Sequence, residues 1–347
     1  MQNISSSSHP YSSHLSIWLS LCLLLVAAMV LVGGYTRLSG SGLSITQWKP
    51  IHGVIPPISE VDWQDEFSSY KATPQFALVN SDMTLEGFKQ IFWPEFIHRL
   101  LARFIGFFFF FPLVYFAVRR QISKQRFWKL AGIFALGGLQ GAIGWIMVAS
   151  GLVDSPYVSP IKLALHLGVA FIIFALILWQ LLEVVASDKW QVASKEKSNL
   201  PLITYHLPLI LIFSQIIIGA VVAGMHAGLV YNTWPDMNGQ FLPDNIMQDD
   251  HALVQFIHRT LAILVAVSFP LWWWVNRSYI RAHNLAKNCA LVLLVILFQF
   301  ALGVATLLLQ VPLNIALAHQ MNALLLWAAA IWLWHKMAVS VGGVSVG

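Results

Sequence analysis

Charge is the first thing this chain lacks. Of its 347 residues, 10% are Asp, Glu, Lys or Arg, 58% are hydrophobic, and the mean hydropathy is +0.70. A soluble domain carries roughly a quarter charged residues, so that class is excluded and an integral membrane protein is left. Cysteine is nearly absent. Cys22 and Cys289 both fall in or beside apolar segments, which leaves no disulfide framework and no cysteine-based metal site. Basic residues are missing from the start: none precedes Arg37, and the stretch holding Ser5 to Ser8 therefore argues against a transit peptide and a standard signal peptide alike. A net charge of +5 would point to nucleic acid in a soluble chain. Here the basic residues gather in short loops, where they act as topology signals, and no nucleic-acid footprint is present.

What is abundant is long apolar runs. Crossing about 30 Å of hydrocarbon takes about 20 apolar residues. Eight segments qualify, approximately 15–36, 95–118, 127–150, 160–185, 202–226, 252–275, 286–310 and 313–337. Lipid leaves no water for free backbone groups, so the segments are expected to be helices. Arg119, Arg120, Lys124, Arg126 and Lys129 mark the second connection between spans as cytoplasmic; Lys189, Lys195 and Lys197 mark the fourth, and Arg277, Arg281 and Lys287 the sixth. The fifth connection has Asp236, Asp244, Asp249 and Asp250 but no Lys or Arg, and is expected outside. Both termini, as tails 1–14 and 338–347, are then cytoplasmic, as is the linker 186–201. The long 37–94 segment, with Glu60, Asp62, Asp65 and Glu66, becomes an extracytoplasmic loop with room for a short amphipathic helix or a partner surface.

The chain also repeats itself. Glu95-Phe96-Ile97-His98-Arg99 returns as Gln255-Phe256-Ile257-His258-Arg259; Gln140-x-Ala142-x-Gly144 returns as Gln299-x-Ala301-x-Gly303; His166 and His319 are each followed thirteen residues later by Trp179 and Trp332. Spans one to four thus pair with five to eight. The expected fold is an all-α integral membrane protein of two tandem four-helix bundles, 15–185 and 202–337. An even number of spans per copy relates them by a pseudo-twofold axis along the membrane normal.

His98, His166, His258 and His319 occur as matched pairs. Pro94, Pro160 and Pro312, each acceptable in a first helical turn, stand a few residues before three of them, which places the imidazoles at one depth near the extracytoplasmic ends of even-numbered helices. Two imidazoles at equal depth on facing helices suit a six-coordinate heme iron, one ligand from each side, and four suit two hemes. A zinc site would bring carboxylates, thiolates or a His pair four residues apart on one helix, none of which is seen. A lone membrane histidine is more often a packing residue; duplication of the pair turns the balance toward ligation. His52, His226 and His251 have no counterparts and read as interfacial or loop residues. Arg99 and Arg259 must reach headgroups or an anion such as a heme propionate, and the sequence leaves both open. Glu95 lies one turn before His98, while its counterpart is the neutral Gln255. An ion pair with Arg99 explains an acid there but not why the matched half lacks one. A carboxylate beside one heme only suggests that this heme is acted upon.

These residues resemble the heme A synthase family. The likeness runs in order over roughly 15–337, through GGYTRLSGSGLSITQWKP at 33–50, EFIHR at 95–99, LQGAIGWIMVASGL at 139–152, the His166 helix, NTWPDMNGQFLPD at 232–244, FIHR at 256–259 and AHQMNALLLW at 318–327. The resemblance implies eight helices in two bundles, and an oxidoreductase that converts heme O to heme A by two successive hydroxylations of a ring methyl, the C8 methyl, to a formyl group. It implies heme b on His258 and His319 in the C-terminal bundle, with Arg259 beside it. The substrate heme would lie on His98 and His166 in the N-terminal bundle, with Arg99 beside it, and Glu95 would be the catalytic acid. It further implies a bacterial plasma membrane location and contact with heme O synthase and terminal-oxidase assembly factors. Some members carry a cysteine pair in the first extracytoplasmic loop; residues 37–94 have none, so the chain looks like the cysteine-free branch shared with mitochondria. An iron held by two nitrogens has no free position for oxygen. Removal of electrons from the methyl with water as nucleophile therefore fits better than insertion at the iron. The rivals are a diheme b-type cytochrome that only carries electrons and a parallel-repeat transporter; neither accounts for the Glu95/Gln255 difference.

Overall fold

The computed structural model describes residues 10–48, 53–153, 155–189, 202–244 and 246–341. Lys195, Lys197 and His52 fall outside them, as do most of the linker and much of both tails. Every regular element among the described residues is helical: α1 (Pro10–Leu38), α2 (Glu60–Lys71), α3 (Pro74–Val79), α4 (Leu85–Val118), α5 (Lys124–Ala149), α6 (Pro160–Lys189), α7 (Leu202–Gly224), α8 (Asp250–Val275), α9 (Arg277–Ala282), α10 (Ala286–Leu308) and α11 (Leu313–Val341), with one 3-10 turn at Ala227–Leu229. Eight of these, α1, α4, α5, α6, α7, α8, α10 and α11, are long and apolar enough to cross a membrane. Their outward faces expose Leu24, Phe107, Phe111, Ile146 and Leu294, the side chains that lipid, unlike water, solvates without cost. Trp93, Trp128 and Trp274 are exposed near helix ends, where amphipathic rings suit the headgroup level.

The spans pack as two closed rings. In the first, α1 touches α4, α4 touches α5, α5 touches α6 and α6 returns to α1; in the second, α7, α8, α10 and α11 follow the same cycle. The rings join through α6 against α7, α1 against α11, and α6 against α11. Exchanging the first four spans for the last four leaves this list of contacts unchanged. The seam is tight because small residues let backbones approach. A Cβ on Gly168 of α6 would stand 2.6 Å from Ile217 Cδ1 of α7, and one on Gly34 of α1 would meet the Gln320 amide of α11 at the same distance.

One boundary differs from expectation. The second span begins at Leu85, not near residue 95, so Pro94 lies inside α4 and His98 is deep within the helix. Pro94 has no N–H to offer the Gln90 carbonyl one turn earlier, yet the helix continues through it, and Thr36 Oγ1 of α1 donates to the Pro94 carbonyl at 3.2 Å, tying α1 to α4 at this point. Thr84 caps the true start, its hydroxyl accepting from Gly87 N at 3.3 Å. The first turns of α4 project beyond the apolar run to complete a small aromatic core with α2. Trp63, Phe67, Tyr70, Phe88, Phe92 and Phe96 are buried together. The 37–94 segment thus carries two short helices, where the sequence left room for a short helix or a partner surface. The Ser59/Asp62 capping box starts α2 and holds the Asp62 carboxyl below its usual range, through the Ser59 backbone N–H first, then the Ser59 hydroxyl and the Ile58 N–H.

Candidate functional site

Each of the four duplicated histidines rests against a glycine of the neighbouring helix. A Cβ on Gly33 of α1 would stand 3.0 Å from His98 Nε2. On Gly144 of α5 it would be 2.8 Å from His166 Cε1, on Gly219 of α7 2.9 Å from His258 Cε1, and on Gly303 of α10 3.0 Å from His319 Cε1. Real Cβ atoms essentially never come as close as the contacts at Gly144 and Gly219, and those at Gly33 and Gly303 are tighter than nearly all real ones, so each slot relies on the missing side chain. Gly33, Gly144, Gly219 and Gly303 each lie five residues before the last residue of their helix. The four slots thus stand at the same distance from the ends of their four helices. His98 and His166 are near enough for their charges to interact, and so are His258 and His319.

Glutamines hold three of the four. Gln140 Nε2 donates to His166 O at 2.9 Å and lies 3.5 Å from the ring Nε2; Gln215 Nε2 donates to His258 O at 3.1 Å and lies 3.4 Å from its Nε2. Gln299 Nε2 lies 3.2 Å from His319 Nδ1 and 3.3 Å from Nε2, its own Oε1 accepting from Asn322 Nδ2 at 2.8 Å. The Nδ1 atoms of His166 and His258, and Oε1 of Gln140 and Gln215, are buried without a partner. Orphaned polar atoms at this depth cost free energy and mark a place shaped for something besides packing. No cluster of three or more His, Cys, Asp or Glu side chains able to hold a bare metal ion occurs among the described residues. Two neutral nitrogens per half, each backed by a glycine, are instead the donor set of an iron porphyrin.

The arginines do something the sequence did not show. Arg99 Nη2 donates to Ile45 O at 2.7 Å and Nη1 to Gln47 O at 3.0 Å; Arg259 Nη2 donates to Tyr231 O at 2.7 Å, and Nη1 to Thr233 O and Asp236 O, both at 2.9 Å. Both guanidiniums tie a loop between spans down beside the histidine helix, in the same register: Ile45 matches Tyr231, Gln47 matches Thr233, and the next residues, Trp48 and Trp234, lay their rings on α5 and α10 through Trp145 and Phe300. This Ile-Thr-Gln-Trp and Tyr-Asn-Thr-Trp equivalence is a fourth repeated feature, invisible by identity because only the tryptophan is shared.

Glu95 is 2% exposed and fully engaged. Arg99 donates to Oε1 from Nη2 at 2.6 Å and from Nε at 3.1 Å, while Oε2 accepts from Ser44 Oγ at 2.7 Å and from Ile45 N at 2.9 Å. The ion pair considered from spacing alone is therefore present, buried rather than exposed, and it helps anchor the loop. In the other half Gln255 donates to Tyr231 O at 3.0 Å, leaving Gln255 Oε1 and Arg259 Nε buried and unpaired. The acid near Arg259 is Asp236, in the loop. Its carboxyl is held below the usual range by the Gly239 N–H first, then by Thr233, with the Arg259 charge adding to these. Each half thus has an arginine with a nearby acid, but only the first carries the acid on the histidine helix. His226 lies in the loop after α7, with a left-handed backbone and its ring 4.7 Å from Tyr157, whereas His251 sits in the first turn of α8, its Nδ1 3.6 Å from Asp249.

Comparison with known proteins agrees with this architecture. Relatives described as Heme A synthase include those of Nitrosospira multiformis, 43% identical over 93% of this chain and 93% of the relative; Maricaulis maris, 45% over 92% and 95%; and Methylobacterium radiotolerans, 47% over 88% and 85%. A model of the COX15-CtaA family, described as Cytochrome oxidase assembly protein, matches residues 16–331. The chain belongs to the COX15-CtaA family of cytochrome oxidase assembly proteins.

Proposed function

We propose that this chain is a heme A synthase, oxidising the C8 methyl of heme O to a formyl group. The observation that supports the reading is the set of four glycine-backed imidazoles, His98 interacting with His166 and His258 with His319. In this reading His258 and His319 would hold a resident heme b, and His98 and His166 would hold heme O, through their imidazole nitrogens. When bound, heme b supplies one-electron relay out of the substrate half.

Each hydroxylation removes two electrons from the methyl carbon, adds the oxygen of one water and releases two protons; the second gives a hydrate that loses water to become the formyl. Glu95 is the residue placed to manage those protons. Arg99 donates to Glu95 Oε1 at 2.6 Å, and Oε2 accepts from the Ser44 hydroxyl at 2.7 Å and from Ile45 N at 2.9 Å. Gln255 at the matched position can neither take a proton nor offset positive charge, which is why the second half only relays. The chain lies in the bacterial plasma membrane with both termini cytoplasmic and 37–94 outside, where heme O synthase and terminal-oxidase assembly factors are its expected partners. Supplying heme O to the purified protein and weighing the extracted porphyrin tests the reading. A mass shifted from methyl to formyl supports it; unchanged heme O beside a redox-active heme spectrum favours the electron-carrying diheme cytochrome.

A further inference from the structure

Four imidazoles face four glycines, yet only three have a glutamine one helical turn before the glycine. Gln140, Gln215 and Gln299 precede Gly144, Gly219 and Gly303 by four residues, the spacing that stacks side chains on one helix face. The residue four before Gly33 is Met29. A thioether has no proton to donate, and no hydrogen bond to the His98 ring occurs among the described residues. The His98 ring is also set differently. Its nearest atom to the glycine is Nε2, whereas the other three present Cε1.

The asymmetry falls where chemistry would want it. A resident heme must keep both ligands, and both histidines of the second half carry a glutamine. A substrate heme must enter and leave. An iron gripped by two fixed imidazoles would be held at both faces, and the first half fixes one histidine and leaves the other without a polar tether. We propose that His98 is the exchangeable axial ligand of the substrate heme, and that Gln140, Gln215 and Gln299 are positioning residues that keep His166, His258 and His319 in place. The proposal rests on the ligation reading above. The exchange breaks one iron–nitrogen bond and forms one bond to an incoming ligand, with no net electron transfer.

Carbon monoxide, which binds ferrous heme only where an axial ligand gives way, is the probe. The full-length protein, loaded with heme O and reduced, is expected to take up one carbon monoxide per chain. Met29→Gln, which supplies the missing amide, is expected to slow that uptake at least tenfold, and Met29→Leu, similar in volume and without a donor, to leave it within a factor of about two. Gln299→Leu is expected to open a second, slower site, which keeps the test alive if Met29→Gln does not fold. Uptake at both hemes or at neither in the unmodified protein overturns the proposal. So does uptake indifferent to both Met29→Gln and Gln299→Leu. The low-spin bis-imidazole spectrum separates the two layers. If it survives in all four histidine-to-alanine variants, the ligation reading fails and this proposal with it. If it depends on the histidines while carbon monoxide ignores Met29 and Gln299, this proposal alone fails.

Discussion

Arg99 reaches Glu95 Oε1 at 2.6 Å from Nη2, while the corresponding pair in the other half, Arg259 Nε and Gln255 Oε1, is buried with neither atom bonded. The same helix position therefore carries a closed ion pair on one side and two unsatisfied atoms on the other. An acid at 255 would satisfy both atoms but would lose the bond that Gln255 Nε2 donates to the Tyr231 carbonyl.

Glu95→Gln makes the first half copy the second. Arg99 keeps its bonds to Ile45 O and Gln47 O, so the loop stays docked while the proton acceptor is gone. Formyl production is expected to fall by about 100-fold or more, with the heme b spectrum retained; extracted-heme analysis against wild type reads both. Wild-type turnover would remove Glu95 from the mechanism.

The glycine slots make a sharper structural forecast. Alanine at Gly219 or Gly303 places a methyl within about 3 Å of an imidazole, and such overpacking costs about 1–3 kcal/mol. Gly219→Ala and Gly303→Ala are expected to lower the heme b content of the purified protein. Gly144→Ala is expected to leave heme b in place and lower the product, because its histidine belongs to the other pair. Pyridine hemochrome spectra distinguish the two outcomes.

Arg259→Leu removes three bonds to the carbonyls of Tyr231, Thr233 and Asp236. Leaving buried acceptors without partners costs about 1–3 kcal/mol each, so the 231–240 loop is expected to become sensitive to protease added to spheroplasts, with cleavage at least tenfold faster than in wild type. Unchanged cleavage would show that the arginine does not anchor the loop.

Topology can be read in a nearly ready background, since Cys22 and Cys289 are buried at 1% and 0% exposure. A cysteine at exposed Phe241 is expected to react with a membrane-impermeant maleimide in whole cells. One at exposed Arg119, on the opposite side in the proposed topology, is expected to react only after lysis. The reverse pattern would invert the orientation.

Much of this was legible before the structure. Hydropathy located eight spans because lipid demands long apolar runs. The duplication was plain wherever both copies kept the same side chain, as at His98 and His258. What stayed hidden was what depends on backbone contact. Arg99 and Arg259 bond loop carbonyls, which have no residue identity, so Ile45 and Tyr231 showed no kinship. Gly33 and Gly219 were missed because a slot is made by an absent side chain. Gln215 was missed too, although its four-residue spacing to Gly219 repeats that of Gln140 and Gln299 and was there to be found. The start of α4 was misjudged because Pro94 reads as a boundary, whereas the helix is capped ten residues earlier at Thr84 and runs through it.

The central claim is that the histidines work as two unequal pairs, and the most direct measurement is the reduced-minus-oxidised spectrum of four purified alanine variants with mass analysis of the extracted heme. The account predicts that His258→Ala and His319→Ala lose the heme b spectrum, while His98→Ala and His166→Ala keep it and lose the formyl product. Equal loss of heme b from all four, or from none, would contradict it.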